Sequence, residues 1–283
     1  SLKHAINMLE RAAEMGSYFP EIASFQNLSS PNEAHDVYAK LWLKLSDQYV
    51  DEESGQVLKK LFENNGQSID ILKGKRVLDL GCGSGRFTLG FEPLGAAQVV
   101  GIDLGTEGIE VGNNLAQKTG LKNTIFVVGD VRKTPFENES FDFIFCKGVL
   151  HHTKNLEGGF SELYRLLKKG GHAYIYCYAD GGIFWDSRTK MREVFKLIPM
   201  DYTVRVLDMI GIPSKRYIFT DSWYVPIENH LKRSWFEEHL KKQGYATINC
   251  VSDNGDKSIQ DFNDTPEGQT LWGDGELRYF LTK

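Results

Sequence analysis

Arg76-Val77-Leu78-Asp79-Leu80-Gly81-Cys82-Gly83-Ser84-Gly85-Arg86 is the stretch that decides the fold. Val77, Leu78 and Leu80 make a short buried strand, and three glycines at alternate positions lead out of it into a helix. Glycine admits positive φ and lets a ligand approach the main chain closely. A turn of this kind, at the carboxyl end of a parallel strand, is where open α/β sheets bind nucleotides.

Outward from this stretch the pattern alternates. Apolar β runs are expected at 76–80, 98–102, 124–128, 141–146 and 172–178. Helical stretches lie between them at Phe87–Leu94, Glu107–Thr119 and Leu156–Leu167, the last ending at Gly170-Gly171. Strands alternating with helices imply right-handed βαβ crossovers and a doubly wound, mainly parallel sheet, an α/β fold. Residues 1–72 read as an N-terminal helical cap that includes a helix at Glu53–Asn64. Residues 73–180 read as the nucleotide-binding core. Residues 181–233, rich in aromatics and too long for a plain loop, read as a helical insertion. Residues 234–283 return to the core with a helix at Ser234–Gln243, capped by Ser234 with Glu237 three residues on. Strands at Tyr245–Val251 and Leu277–Thr282 follow, and the polar segment between them reads as an exposed loop.

With 33 basic and 38 acidic residues among 283, the net charge of −5 opposes a general nucleic-acid or anionic-membrane binder. No apolar run reaches membrane-spanning length, no signal-peptide pattern opens the chain, and Ser1 reads as a processed end. Cys82, Cys146, Cys177 and Cys250 are widely spaced with no CxxC pair, so neither a disulfide nor a metal site is expected and a reducing, cytoplasmic setting is.

Two residues narrow the nucleotide. In a dinucleotide fingerprint the third glycine position must be small so that helix packs on strand; counted from Gly81 it is Arg86. Asp79, two residues before the first glycine, would repel a pyrophosphate in a partly desolvated site but suits a ligand with an ammonium group.

Val77 to Gly85 resembles the first motif of class I S-adenosylmethionine-dependent methyltransferases, in the type-11 small-molecule branch, and further landmarks stand in that family's order. Val99-Val100-Gly101-Ile102-Asp103-Leu104 resembles its second strand, Phe126-Val127-Val128-Gly129-Asp130-Val131 its third, and Phe141 to His152 its fourth strand with the loop after it. Gly105-Thr106 departs from the Ser-Pro that often precedes the second helix. The resemblance implies a Rossmann-like sheet of seven strands, mostly parallel with the last antiparallel, and S-adenosyl-L-methionine as cofactor, released as S-adenosyl-L-homocysteine. It implies Asp79, Gly81, Cys82 and Gly83 around the donor and Asp103 on the ribose hydroxyls. Leu104, Asp130 and Val131 would hold the adenine, and the Lys147 carbonyl the methionine part.

Methyl transfer needs alignment above all, and a base only where the acceptor must lose a proton. His152, His151 and His230 are the candidate bases, each with a structural role as its alternative. Tyr38, Trp42, Trp185, Trp223 and Tyr224 are candidate acceptor-binding residues, with core packing as theirs. The expected function is methyl transfer to O, N or C of a small organic molecule of secondary-metabolite or glycan type. No Asn/Asp-Pro-Pro-Tyr/Phe tetrad and no Pro-Cys pair points to a nucleobase acceptor. A peptide or protein side-chain methyltransferase, and a donor-binding protein without turnover, are the other readings.

Overall fold

A computed structural model describes residues 53–211, 216–252 and 258–283. The helices expected before Glu53, with Tyr38 and Trp42, lie outside the described residues. Numbered from the first described helix, the order is α1 (Glu53–Asn64), β1 (Arg76–Leu80), α2 (Thr88–Phe91), β2 (Gln98–Asp103), α3 (Thr106–Lys118), β3 (Thr124–Val128), β4 (Phe141–Lys147), α4 (Leu156–Leu166) and β5 (Leu167–Tyr178). Then come α5 (Gly182–Phe195), α6 (Met200–Met209), α7 (Arg216–Tyr224), α8 (Arg233–Gln243), β6 (Thr247–Cys250), α9 (Ser258–Asn263), α10 (Pro266–Trp272) and β7 (Glu276–Thr282).

The seven strands form one sheet in the order β3-β2-β1-β4-β5-β7-β6. The first five strands run parallel, while β7 is antiparallel to β5 and β6 is antiparallel to β7. Strand order reverses at β1, so the crevice beyond its carboxyl end is the topological switch point.

Both faces of the sheet are covered, which is why β1 reads as an almost continuous apolar run. On one face Leu58 and Phe62 of α1 and Phe91 of α2 pack against Val77, Phe143, Phe145, Tyr174 and Phe280. On the other, Phe160 and Leu163 of α4 and Phe236 and Leu240 of α8 pack against Leu78, Leu80, Ile144 and Ile175. Each fully buried phenylalanine contributes about 2 kcal/mol of transfer free energy. Asp79 interrupts this core as a buried carboxylate at the edge where the site forms.

Several local expectations are corrected. The helix after the glycine turn is confined to Thr88–Phe91, not Phe87–Leu94. Strand β5 begins at Leu167, because Leu167 already pairs with Phe141; Gly170-Gly171 therefore lies inside the strand, tied to the terminal Lys283, rather than ending the helix. Ser234 does not cap α8: Lys232 stands at that position without a side-chain bond, and the Asp274 carboxylate accepts from the Arg233 amide instead, at 2.8 Å. The polar segment before β7 contains α9 and α10 rather than a plain loop. Thr265 caps α10, accepting from the Gly268 amide, with Pro266 in the first turn.

Candidate active site

The glycine turn is a backbone cradle. Gly81, Gly83 and Gly85 adopt φ of 90°, 56° and 91°. A Cβ on Gly81 would collide with the Val149 side chain, and one on Gly85 with the Phe126 ring. The Gly81 and Cys82 amides both donate to the Ile102 carbonyl, at 2.8 and 3.0 Å, which lays the turn against the end of β2. Asp103 closes that end: Oδ2 accepts from the Gly83 amide and Oδ1 from the Gly105 amide, each at 2.9 Å. A carboxylate oxygen can accept more than one hydrogen bond, so Asp103 has the chemistry to receive ligand hydroxyls.

Asp79 lies deeper. Its Oδ2 accepts from the Thr88 hydroxyl at 2.7 Å. Burial pushes its pKa up to about 7, the Thr88 hydrogen bond works against that rise, and the Asp103 charge adds to it. A carboxyl so placed is poised to ionise when a cation arrives. Asp130 is engaged by Arg132, whose Nε and Nη2 hold both carboxylate oxygens at 2.6–3.0 Å and whose amide donates to Oδ1 at 2.8 Å. The Arg132 hydrogen bonds hold the Asp130 carboxyl below the usual range.

A cavity of about 600 Å³ joins these groups to the helices that follow β5. Asp79, Gly81, Cys82, Gly83, Asp103, Leu104, Asp130, Val131 and Lys147 line one end. His152, Tyr178, Phe184, Trp185, Arg188, Asp221 and Ile227 line the other. A glycine cradle that no side chain could replace, and a buried carboxyl awaiting a cation, fit an uncharged-ribose ligand that carries an ammonium group.

Residues 78–175 match the family described as a methyltransferase domain. Those residues form a methyltransferase domain. S-adenosylmethionine is the cofactor of this domain class. A sterol 24-C-methyltransferase from Schizosaccharomyces pombe is 29% identical over 208 residues, 72% of this chain and 52% of its own length. One from Debaryomyces hansenii is 28% identical over 274 residues, 92% of this chain and 63% of its own. The chain spans about half the length of several curated relatives it matches. Among solved structures, Haemonchus contortus phosphoethanolamine N-methyltransferase 2, in complex with phosphomonomethylethanolamine and S-adenosylhomocysteine, aligns with a TM-score of 0.53. It covers 92% of this chain and 60% of that one at 18% identity, a likeness of fold.

The three histidines part company. His152 lines the cavity, its Nδ1 lying 2.8 Å from the Ile227 carbonyl oxygen and its Nε2 4.0 Å from Asp221 Oδ1. A carbonyl only accepts, so in the neutral ring Nδ1 carries the proton and Nε2 the lone pair. Burial lowers the His152 pKa, although the Asp221 charge and the Ile227 hydrogen bond partly restore it. His151 is fully buried, packs on the Tyr178 ring at 3.8 Å and is absent from the cavity wall. His230 donates through Nε2 to Glu228 Oε1 at 2.8 Å, packs on Trp185 and also stands off the wall. Neither is placed to meet a ligand. Trp185 reaches the cavity, but Trp223 stacks on Phe195 at 3.9 Å and the Tyr224 hydroxyl bonds Thr203. These last two are packing residues of the insertion.

Sequence reasoning passed over Thr88, Tyr178, Arg188, Asp221 and Glu228. Tyr178 ends β5 and sends its hydroxyl to Asp221 Oδ2 at 2.9 Å. Arg188 of α5 grips Glu228 side-on, Nε to Oε1 at 3.0 Å and Nη2 to Oε2 at 2.8 Å. Arg192 Nη1 joins Oε2 at 3.2 Å. Thr88 carried a signal, a hydroxyl in the first turn after the glycines; Arg188, Asp221 and Glu228 meet only in three dimensions. Among the described residues, no helix is long and apolar enough to cross a membrane.

Proposed function

We propose that the chain transfers the methyl group of S-adenosylmethionine to a small organic molecule. The single observation that carries this is the continuous cavity: a glycine cradle flanked by Asp79 and Asp103 opens directly onto a wall bearing His152. The turn amides of Gly81, Cys82 and Gly83 border the donor, and Asp103 takes its ribose hydroxyls. Leu104 and Val131 enclose the adenine, with Asp130 aligned beside it by Arg132. Asp79 meets the ammonium group, and the Lys147 backbone carbonyl the same end. The bound donor supplies a methyl carbon already activated by its sulfonium; the protein supplies alignment.

The acceptor occupies the other end, walled by helices within residues 181–233, where Trp185 and Phe184 come from α5 and Asp221 from α7. His152 Nε2 is the group able to take a proton from it. Enclosure by aromatic side chains favours a small acceptor over a peptide, and the relatives named as sterol methyltransferases agree with that. Titration calorimetry with S-adenosylmethionine and S-adenosylhomocysteine, followed by a search for S-adenosylhomocysteine release over a panel of acceptors, tests the reading. Binding of neither ligand would overturn it.

A further inference from the structure

The acceptor wall contains a cation that the proposed reaction has not yet used. Arg188 has a side chain only 10% exposed, yet it lines the cavity. Its guanidinium lies 4.5 Å over the Tyr178 ring and 5.5 Å from the Trp185 ring. Glu228 takes one edge of the fork through Nε and Nη2, and Asp221 Oδ2 lies 4.0 Å from Nη2. Nη1, with two N–H donors, has no partner among the described residues.

The Tyr178 and Trp185 faces, which could have held a cationic amine, are thus already occupied by the protein's own guanidinium. The charges nearest to it offset one another: Arg188 and Arg192 both stand on the Glu228 carboxylate and Asp221 stands beside Arg188, with His152 neutral. An acceptor that arrives neutral and becomes anionic as His152 becomes cationic preserves that balance; a permanent cation or anion does not. Resting on the methyl-transfer reading above, we infer that the acceptor is a neutral molecule whose reacting group is an acidic hydroxyl, a phenol or enol, and that Arg188 Nη1 is the donor that receives its oxygen and selects for it.

An acidic hydroxyl is required because His152 is a weakened base and an aliphatic alcohol would hold its proton too firmly. The hydroxyl proton passes to His152 Nε2, where Asp221 offsets the new charge. An electron pair of the oxygen forms the bond to the methyl carbon, and the pair of the breaking carbon–sulfur bond stays on sulfur. Arg188 lowers the hydroxyl's pKa by holding the charge as it develops, as a preorganised oxyanion donor does.

The experiment offers the full chain, with saturating S-adenosylmethionine, three probes on one naphthalene frame: 2-naphthol, 2-naphthylamine and 2-naphthalenemethanol, the last longer by one methylene. Methyl ether is expected from 2-naphthol, with little or no product from the other two. Arg188→Met should cut kcat/KM for 2-naphthol by about 100-fold, the cost of one oxyanion donor, with S-adenosylhomocysteine affinity unchanged. Arg188→Lys keeps a charge beside Glu228 and serves if the first variant does not fold; it should also lose most of the rate, because a point charge cannot hold Glu228 and the acceptor together. Preference for the amine, full activity in the folded variants, or no product from 2-naphthol overturns the inference. Failure of S-adenosylhomocysteine to bind at all would instead fall on the methyl-transfer reading.

Discussion

The ring Nδ1 of His152 stands 2.8 Å from the carbonyl oxygen of Ile227. That bond fixes which nitrogen holds the proton and leaves Nε2 as the basic atom on the cavity side. His152→Asn can still donate to Ile227 but has no base, so kcat should fall by about 100-fold or more while donor affinity holds. Because burial lowers the His152 pKa, the wild-type rate should already be at its plateau at neutral pH and decline only as pH falls below 6.5. Asp221 works against that lowering, so Asp221→Asn should move the decline to still lower pH. A pH–rate profile of the three proteins is the measurement.

Asp79 sets stability against binding. Its folded-state pKa of about 7 exceeds the ordinary carboxylate value, so between roughly pH 4 and pH 7 the folded state holds a proton that the unfolded state releases. Stability from this group therefore falls as pH rises through that window. Asp79→Asn preserves an acceptor for Thr88 and removes the buried charge. At pH 8 it should unfold later than wild type, by up to about 4 kcal/mol at about 1.4 kcal/mol per unit, and should bind S-adenosylmethionine more weakly. In wild type that affinity should strengthen between pH 6 and 8. Denaturant curves and calorimetry across this range check both halves.

The half of the candidate site around the glycine turn was legible because its residues are nearly contiguous in sequence. A strand, a glycine turn and an acid at the end of the next strand fall within thirty residues, and parallel pairing of β1 with β2 brings Asp103 to Gly83 without further information. The half around His152 and Arg188 was not legible, because its groups come from separate elements whose packing no local period encodes. Arg188, Asp221 and Glu228 stand in no local motif that would single them out, while the more conspicuous Trp223 and Tyr224 pack within the insertion. His151 and His152 were indistinguishable as a pair. A turn at Leu150–His152 directs one ring into the core and the other onto the cavity.

Glu228 holds the insertion together. Its carboxylate, 2% exposed, accepts from Arg188, Arg192 and His230. Burial opposes its ionisation, but the His230 hydrogen bond and the two arginine charges outweigh burial and keep its pKa below the usual value. Its stabilisation is therefore present above about pH 4.5 and lost as pH falls through the depressed value. Glu228→Gln would leave two arginines without their carboxylate and should cost about 3–5 kcal/mol, a Tm drop of roughly 10 °C. Donor binding at the other end of the cavity should persist in the folded fraction. Calorimetric melting with and without S-adenosylhomocysteine separates the two effects.

Asp103 joins the glycine turn to the first turn of α3 by accepting one amide on each oxygen, so its removal has two consequences. The Gly83 and Gly105 amides lose their acceptor, and the ligand's ribose loses its own. Asp103→Ala should therefore weaken S-adenosylhomocysteine binding by about 10–100-fold, the scale of hydrogen bonds to a charged group, and also lower Tm. An analogue of S-adenosylhomocysteine lacking both ribose hydroxyls separates the contributions. If Asp103 acts on the ribose, the analogue should bind wild type weakly and lose little further affinity to Asp103→Ala. If Asp103 merely holds the turn, the substitution should weaken both ligands by the same factor.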